Sequence, residues 1–151
     1  GPHPRPESRF TPGGNPSNPI FQTASYVVKP EVDAAVSALE YHNFVVRRPV
    51  QENGEAESGS THQALRDFYH KDVELLKCCS LVLAVPLFRD PGTLVEVGMA
   101  IAMGKPVITF DPRKENGNTM VICGSNVYSE DLDNCLNGVF ACLSNIRKTH
   151  S

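Results

Sequence analysis

Leu81-Val82-Leu83-Ala84-Val85, set between Ser80 and Pro86, form an apolar run with no alternation of polar and apolar positions. A strand wetted on one face would alternate. A run of this kind predicts a strand buried on both faces, and such strands belong to parallel sheets with helices on either side. The flanking sequence fits that demand. Pro30 suits the first turn of a helix in which Val32, Ala35, Val36 and Leu39 recur at helical spacing. A second helix is expected over residues 61–78, with Leu65, Phe68, Tyr69, Val73 and Leu76 as its apolar stripe. A third is expected over residues 94–103, ended by Gly104. Ser129 is placed to cap a last helix whose apolar face carries Leu132, Cys135, Leu136, Val139, Phe140 and Leu143. Between these helices, strands are expected at residues 20–25, 44–47 and 107–110 and near Val127, whereas residues 51–60, rich in Glu, Gly and Ser, read as a solvated loop. Strands alternating with helices predict a three-layer α/β domain with a flavodoxin-like, doubly wound parallel sheet of about five strands.

The remaining composition narrows the setting. A chain of 151 residues fits one domain, and roughly 68–70% of the surface such a chain exposes unfolded is buried on folding. Residues 1–18, rich in Pro and Gly and poor in large apolar side chains, are expected to form a flexible tail, with residues 19–151 as the folded domain. With 14 basic against 17 acidic residues the net charge is −3, which argues against a nucleic-acid partner. No apolar run approaches the ~18 residues of a membrane helix and no N-terminal export signal is visible, so no membrane partner is expected. The five cysteines, at 78, 79, 123, 135 and 142, are odd in number and form no C-x-x-C, which fits reduced thiols in a cytoplasmic setting rather than disulfides or zinc. The five histidines lack ligand spacing, and neither a metal nor a cofactor is expected.

In a sheet of order 2-1-3-4-5, ligands bind beyond the carboxyl ends of strands 1 and 3, which selects residues 24–29 and 87–92. Glu96 is the only ionisable side chain between Asp90 and Lys105, in a helix that is apolar nearly all round. Thr93-x-x-Glu96 fits a capping box, with Thr93 as N-cap. It equally fits a carboxylate at the crevice mouth, kept anionic by the helix N-terminus as a nucleophile requires. Gly92 would let a ligand approach the backbone, and Gly98 would let the helix pack closely. Asp72 falls on the apolar stripe of the second helix and is expected to face the sheet, as a satisfied structural group or as a desolvated acid holding a proton. One acid and one anionic carboxylate are the equipment for retaining cleavage of a glycosidic bond.

Asp90-Pro91-Gly92-Thr93-Leu94-Val95-Glu96-Val97-Gly98-Met99-Ala100, continuing through Gly104-Lys105-Pro106-Val107, resembles the D-x-G-x-x-x-E-[LV]-G-x-A and G-K-x-V signature of the nucleoside 2-deoxyribosyltransferases. The resemblance implies transfer of 2-deoxyribose between nucleobases, a role in purine and pyrimidine salvage, with Glu96 attacking the anomeric carbon to form a covalent intermediate. It implies that Asp72 and Asp90 contact the nucleobase and pass it protons. Asn118-Thr119-Met120 matches an N-x-M motif that in the family reaches into a neighbouring subunit's site, with the Asn on the sugar 5′-hydroxyl. A homodimer or larger homo-oligomer with composite sites is thereby implied, with nucleosides and nucleobases as small-molecule partners. The family's first strand carries a tyrosine whose hydroxyl orients the nucleophile, followed by a glycine turn. Here Phe21 stands at that position and Thr23-Ala24-Ser25 replaces the turn, which leaves Ser25 or Tyr26 as the expected source of the hydroxyl.

Three other readings stand beside this one. The related deoxynucleotide N-hydrolases use water as acceptor and prefer a 5′-phosphate, but carry serines where this chain has Asp90 and Asn118; Arg47, Arg48, Arg113 or Lys114, folded toward the crevice, would supply the charge for such a phosphate. Pro91-Gly92-Thr93-x-x-Glu96 is also similar to the phosphate loop of cytokinin-releasing phosphoribohydrolases, without its full set of glycines. The last is a nucleoside- or nucleotide-binding module that keeps the crevice without the chemistry.

Overall fold

The computed structural model describes residues 18–150, so all of the expected tail but Asn18 lies outside the described residues. Along the chain, β1 (Ile20–Thr23) leads to α1 (Pro30–Tyr41), β2 (Val46–Arg47), α2 (Pro49–Asn53) and α3 (His62–Cys78). Then come β3 (Leu81–Ala84), α4 (Pro91–Ala102), β4 (Val107–Phe110), α5 (Thr119–Gly124), β5 (Val127–Ser129) and α6 (Leu132–His150). The five strands are parallel in the order β2-β1-β3-β4-β5. In register, Ile20 lies opposite Leu81 and Thr23 opposite Ala84.

The apolar run is covered on both faces. Leu81 and Leu83 enter one core with Ile20, Val32, Leu39, Ile108 and Leu143, beneath α1 and α6. Val82 and Ala84 enter the other with Phe21, Leu76, Val97 and Val107, beneath α3 and α4.

The apolar stripe expected along the whole of α3 is buried only at its C-terminal end, where Leu75 and Leu76 lie in the core. Leu65 and Tyr69 remain 46% and 53% exposed. Length is the reason: a helix of 17 residues is about 25 Å long, whereas a four-residue strand spans about 13 Å. Because α3 ends where β3 begins, its N-terminal half overhangs the carboxyl edge of the sheet. There it forms one wall of a crevice.

Two short helices were not expected from the sequence. Pro49 starts α2 at the edge of the stretch read as solvated, and Asn118 caps α5. Five and six residues are too few for a hydrophobic period to register. Helix α4 begins at Pro91, earlier than expected, with Asp90 rather than Thr93 as N-cap. At α6 the cap is Asp131, whose Oδ2 accepts the Asn134 N–H at 3.1 Å; Ser129 Oγ instead accepts the Asp131 N–H at 3.0 Å.

Lys105 Nζ donates to the Lys77 and Cys79 carbonyls at 3.2 and 2.5 Å, tying the C-terminal end of α3 to the start of β4. Asp111, at the end of β4, accepts N–H groups from Glu115 and Asn116 and the Tyr128 hydroxyl. Burial alone would raise its pKa, but these bonds outweigh it and hold the carboxylate below its ordinary range. Asn116 Nδ2 also donates to the Pro86 carbonyl at 2.9 Å, which pins the loop after β4 to the loop after β3.

Close helix packing depends on Gly138 and Gly124, not on Gly98. A Cβ on Gly138 would sit 2.6 Å from Val127 Cγ2 and 3.2 Å from Ile108 Cδ1, whereas one on Gly98 would meet nothing within 4 Å. Gly138→Ala is therefore expected to lower the denaturation midpoint despite alanine's better helix propensity. Gly98→Ala is expected to raise stability, by up to about 1 kcal/mol. Urea unfolding of the two variants beside the wild type checks both signs.

Candidate active site

The crevice lies between the overhanging half of α3, the first turns of α4, the turn after β1, and α2. One cavity of about 290 Å³ is lined by Thr23, Ser25, Asp72, Asp90, Gly92 and Glu96, among others. A more apolar cavity of about 300 Å³ shares Asp72, Gly92 and Glu96 with it and adds Tyr69, Val73, Leu76, Val95 and Met99. Both chain segments selected from the topology, after β1 and after β3, contribute to this region.

Glu96 is not part of a capping box. The cap of α4 is Asp90, whose Oδ2 accepts the Thr93 N–H at 2.9 Å and the Thr93 hydroxyl at 2.8 Å. Glu96 stands in the second turn, past the free N–H groups of the first. Its Oε1 accepts a hydrogen bond from the Thr23 hydroxyl, on the neighbouring strand β1. The expectation that the helix N-terminus keeps Glu96 simply anionic is overturned. Burial pushes its pKa up to about 7, with the nearby carboxylates Asp72 and Asp90 adding to the rise and the Thr23 bond opposing it. The helix-end effect falls off within the first turn, whereas partial burial still penalises the charged form here.

Asp72 faces the crevice rather than the sheet, because the part of α3 that carries it lies at the sheet's edge. It is half-buried, and its Oδ1 accepts from Asn53 Nδ2 at 2.9 Å. Burial raises its pKa and the Asn53 bond partly offsets this. Asp90 joins cap and crevice, lining the cavity while it holds the start of α4.

Phe21 does not reach the crevice. It is fully buried in the core under α3 and α4, because it lies two residues before the end of β1 where the helices still cover the sheet. The hydroxyl on Glu96 comes from Thr23, not from Ser25 or Tyr26. Ser25 lines the cavity, and Tyr26 instead packs edge-on against Phe88 with centroids 5.6 Å apart. A signal for Thr23 was present in its place as the last residue of the first strand, at the switch point.

Asn118 and Met120 are not brought together with Glu96 within the protomer. They line a separate cavity of about 570 Å³ with Arg89, Leu94 and Asn116. Asn118 Oδ1 accepts the Met120 N–H at 2.8 Å, and the Met120 side chain is 78% exposed.

The four cations considered for a phosphate are engaged elsewhere. Arg47 bonds Glu52 at 2.8 Å, Arg113 bonds Glu31 at 2.6 Å and Lys114 pairs with Glu130 at 3.3 Å. Arg48 donates to Gln22 Oε1 and, at 2.8 Å, to the Val27 carbonyl, bracing the turn after β1. None lines either cavity at Glu96. Among the described residues, no group of three or more His, Cys, Asp or Glu side chains is placed to hold a metal ion, and no helix is long and apolar enough to cross a membrane.

Comparison with known proteins bears on this arrangement. The family model for nucleoside 2-deoxyribosyltransferase matches residues 28–139. A 2-deoxyribosyltransferase from Bacillus psychrosaccharolyticus superposes with a TM-score of 0.65 at 25% identity, over 82% of this chain and 94% of the other. The CMP N-glycosidase BcmB of Clostridium botulinum gives 0.49 at 22% identity, over 81% and 97%. A conserved protein of Enterococcus faecalis V583 gives 0.50 at 15% identity, over 85% and 98%, a likeness of fold alone. No curated protein sequence matches the chain.

The raised pKa of Glu96 has a consequence for stability. Between pH 4.5 and about 7, folding binds a proton at Glu96 that the unfolded chain has released, so this group's contribution falls as pH rises through that window and levels off above it. Glu96→Gln, which can still accept the Thr23 bond, is expected to be more stable than wild type at about pH 8 and close to it at about pH 4, by at most about 3 kcal/mol. Thermal melts at the two pH values check the difference.

Proposed function

This chain belongs to the nucleoside 2-deoxyribosyltransferase family, enzymes acting on N-glycosidic bonds, and we propose that it moves 2-deoxyribose from one nucleobase to another through a glycosyl ester on Glu96. The observation that carries this reading is the placement of Glu96. It is the sole ionisable side chain in the body of α4, half-buried where two cavities meet, anchored by Thr23, and flanked by two further carboxyl groups.

In the first step a Glu96 carboxylate oxygen attacks the anomeric carbon as the bond to the base breaks. The departing base takes a proton from Asp72 or Asp90. In the second, an incoming base attacks the same carbon, the ester bond breaks, and the proton released by the incoming base returns to the acid. Two displacements retain the configuration of the sugar. The carboxylate does its work beside the positive charge that develops on the sugar, in a half-buried site where that attraction is stronger than in water.

Free nucleosides are the substrates this site favours over 5′-monophosphates, since Arg47, Arg48, Arg113 and Lys114 are all held away from it. Asn118, with a neutral amide, suits a 5′-hydroxyl. Its place in a cavity separate from that of Glu96 within one chain supports a homodimer in which Asn118 and Met120 complete the partner's site. A cytoplasmic role in salvage of nucleobases belongs to the same reading.

Incubation with deoxyinosine and free adenine tests the function. Deoxyadenosine is the expected product. Free deoxyribose without exchange indicates a hydrolase, and neither product indicates a binding module. Glu96→Ala is expected to lose on the order of 10³-fold or more in exchange while remaining folded. A mixture of Glu96→Ala and Asn118→Ala subunits is expected to regain activity, because one of its two sites is intact; no gain on mixing would count against the composite site.

A further inference from the structure

Glu96 and Asp90 are joined by two buried hydroxyls. Thr23 and Thr93 are 2% and 1% exposed. Thr93 donates to Asp90 Oδ2 at 2.8 Å, Thr23 donates to Glu96 Oε1, and the two threonine oxygens lie 3.5 Å apart. Valine has nearly the same shape and would bury more cheaply at either position, because a buried hydroxyl is costly unless it is bonded. Each of these hydroxyls faces a carboxyl group on one side and the other threonine on the other.

We propose that Thr23 and Thr93 form a proton relay between the nucleophile Glu96 and the acid Asp90. The proposal rests on the transferase reading of Glu96. Each threonine has a single proton, so the direction of the chain follows the state of Glu96. With Glu96 ionised, Thr23 donates to it. With Glu96 protonated, the carboxyl donates to Thr23 Oγ1, and the Thr23 proton turns to Thr93 Oγ1, whose own proton already points at Asp90.

Transfer along this chain breaks the Glu96 O–H bond and forms one on Thr23. The original Thr23 proton passes to Thr93, and the original Thr93 proton to Asp90 Oδ2. The net change is a Glu96 acid and an Asp90 carboxylate becoming a Glu96 carboxylate and an Asp90 acid, with no water consumed. One proton thus leaves the nucleophile as it must become anionic and arrives on the group that protonates the departing base. When the incoming base gives up its proton, the flow reverses, so the site is returned to its starting state after each exchange. The 3.5 Å step is the longest link, and such contacts tighten when substrate closes a site.

The rise of the Glu96 pKa to about 7 gives the chain a proton to move at neutral pH. The other titratable groups lining the two cavities are Asp72 and Tyr69 from α3 and Glu55 from the segment before it. None of them stands between Thr23 and Thr93.

Thr23→Val, Thr93→Val and the corresponding serine variants test the relay. Thr93→Val is expected to lose about 10²-fold in kcat on deoxyinosine. Its loss should be much smaller on a deoxyriboside whose leaving group needs no proton, and Thr93→Ser should restore most of the rate. Equal losses on both substrates, or no rescue by serine, would overturn the relay and leave Thr93 as part of the α4 cap. Carboxyl ¹³C NMR gives a readout without turnover: titration of Glu96 near neutral pH should shift the Asp90 signal in wild type by more than the through-space effect seen at Asp72, and Thr23→Val should cut the Asp90 response to that through-space level while leaving the Asp72 response unchanged. An Asp90 response of the same size in Thr23→Val as in wild type would equally reject the relay. A wild type with no exchange or cleavage would reject the transferase reading instead, and the NMR coupling would still decide whether the hydroxyl chain carries a proton.

Discussion

The hydroxyl of Thr23 reaches from the last residue of β1 to the Glu96 carboxylate in the second turn of α4, across the line where the sheet ends and the crevice begins. A carboxylate placed on so apolar a helix is costly to ionise, and this bond is the contact that opposes the cost. Its geometry depends on the rest of the fold. Thr23 is positioned by pairing with Ala84 of β3, α4 is started by Asp90, and the loop between β3 and α4 is pinned through Pro86 by Asn116. The apolar run of β3 therefore serves the site directly, because it sets the spacing between the strand that supplies the hydroxyl and the helix that supplies the carboxylate.

Three carboxyl groups share this small region, and their environments differ. Asp90 is tied to the first turn of α4 through Thr93, Asp72 is half-buried with one amide partner, and Glu96 is the most strongly desolvated of the three. Like charges so close resist joint ionisation. A site whose carboxyls sit in such different environments suits a reaction needing an acid and a nucleophile in the same step.

Much of this was legible in the sequence. The uniform run 81–85 announced a two-faced strand, helical spacing located α1, α3 and α6, Gly104 marked the end of α4, and Glu96 and Asp72 stood out as carboxylates in apolar settings. What escaped had physical causes. Helices α2 and α5 are shorter than the period that would betray them, and Asp90 outcompeted Thr93 as a cap because Pro91 fixes the first helical turn directly after it. Thr23 could not be assigned to Glu96 from sequence, since the two are 73 residues apart and only strand pairing brings them together. Phe21 failed as a site residue because the family position it occupies points, in this chain, into a core that Leu76, Val82 and Val97 fill around it. The sign of the Glu96 shift also required the structure, because burial and the helix end act in opposite directions and only burial could be weighed from coordinates.

The central claim is that Glu96 becomes covalently bonded to the sugar. Mass spectrometry of the protein quenched during incubation with a deoxynucleoside, with no acceptor base present, measures this directly. The expected result is a peptide containing Glu96 that carries the added mass of one deoxyribosyl group and loses it when a free base is supplied. Release of free base and deoxyribose with the Glu96 peptide unmodified at every quench time, or the same adduct on a Glu96→Gln variant, would contradict it.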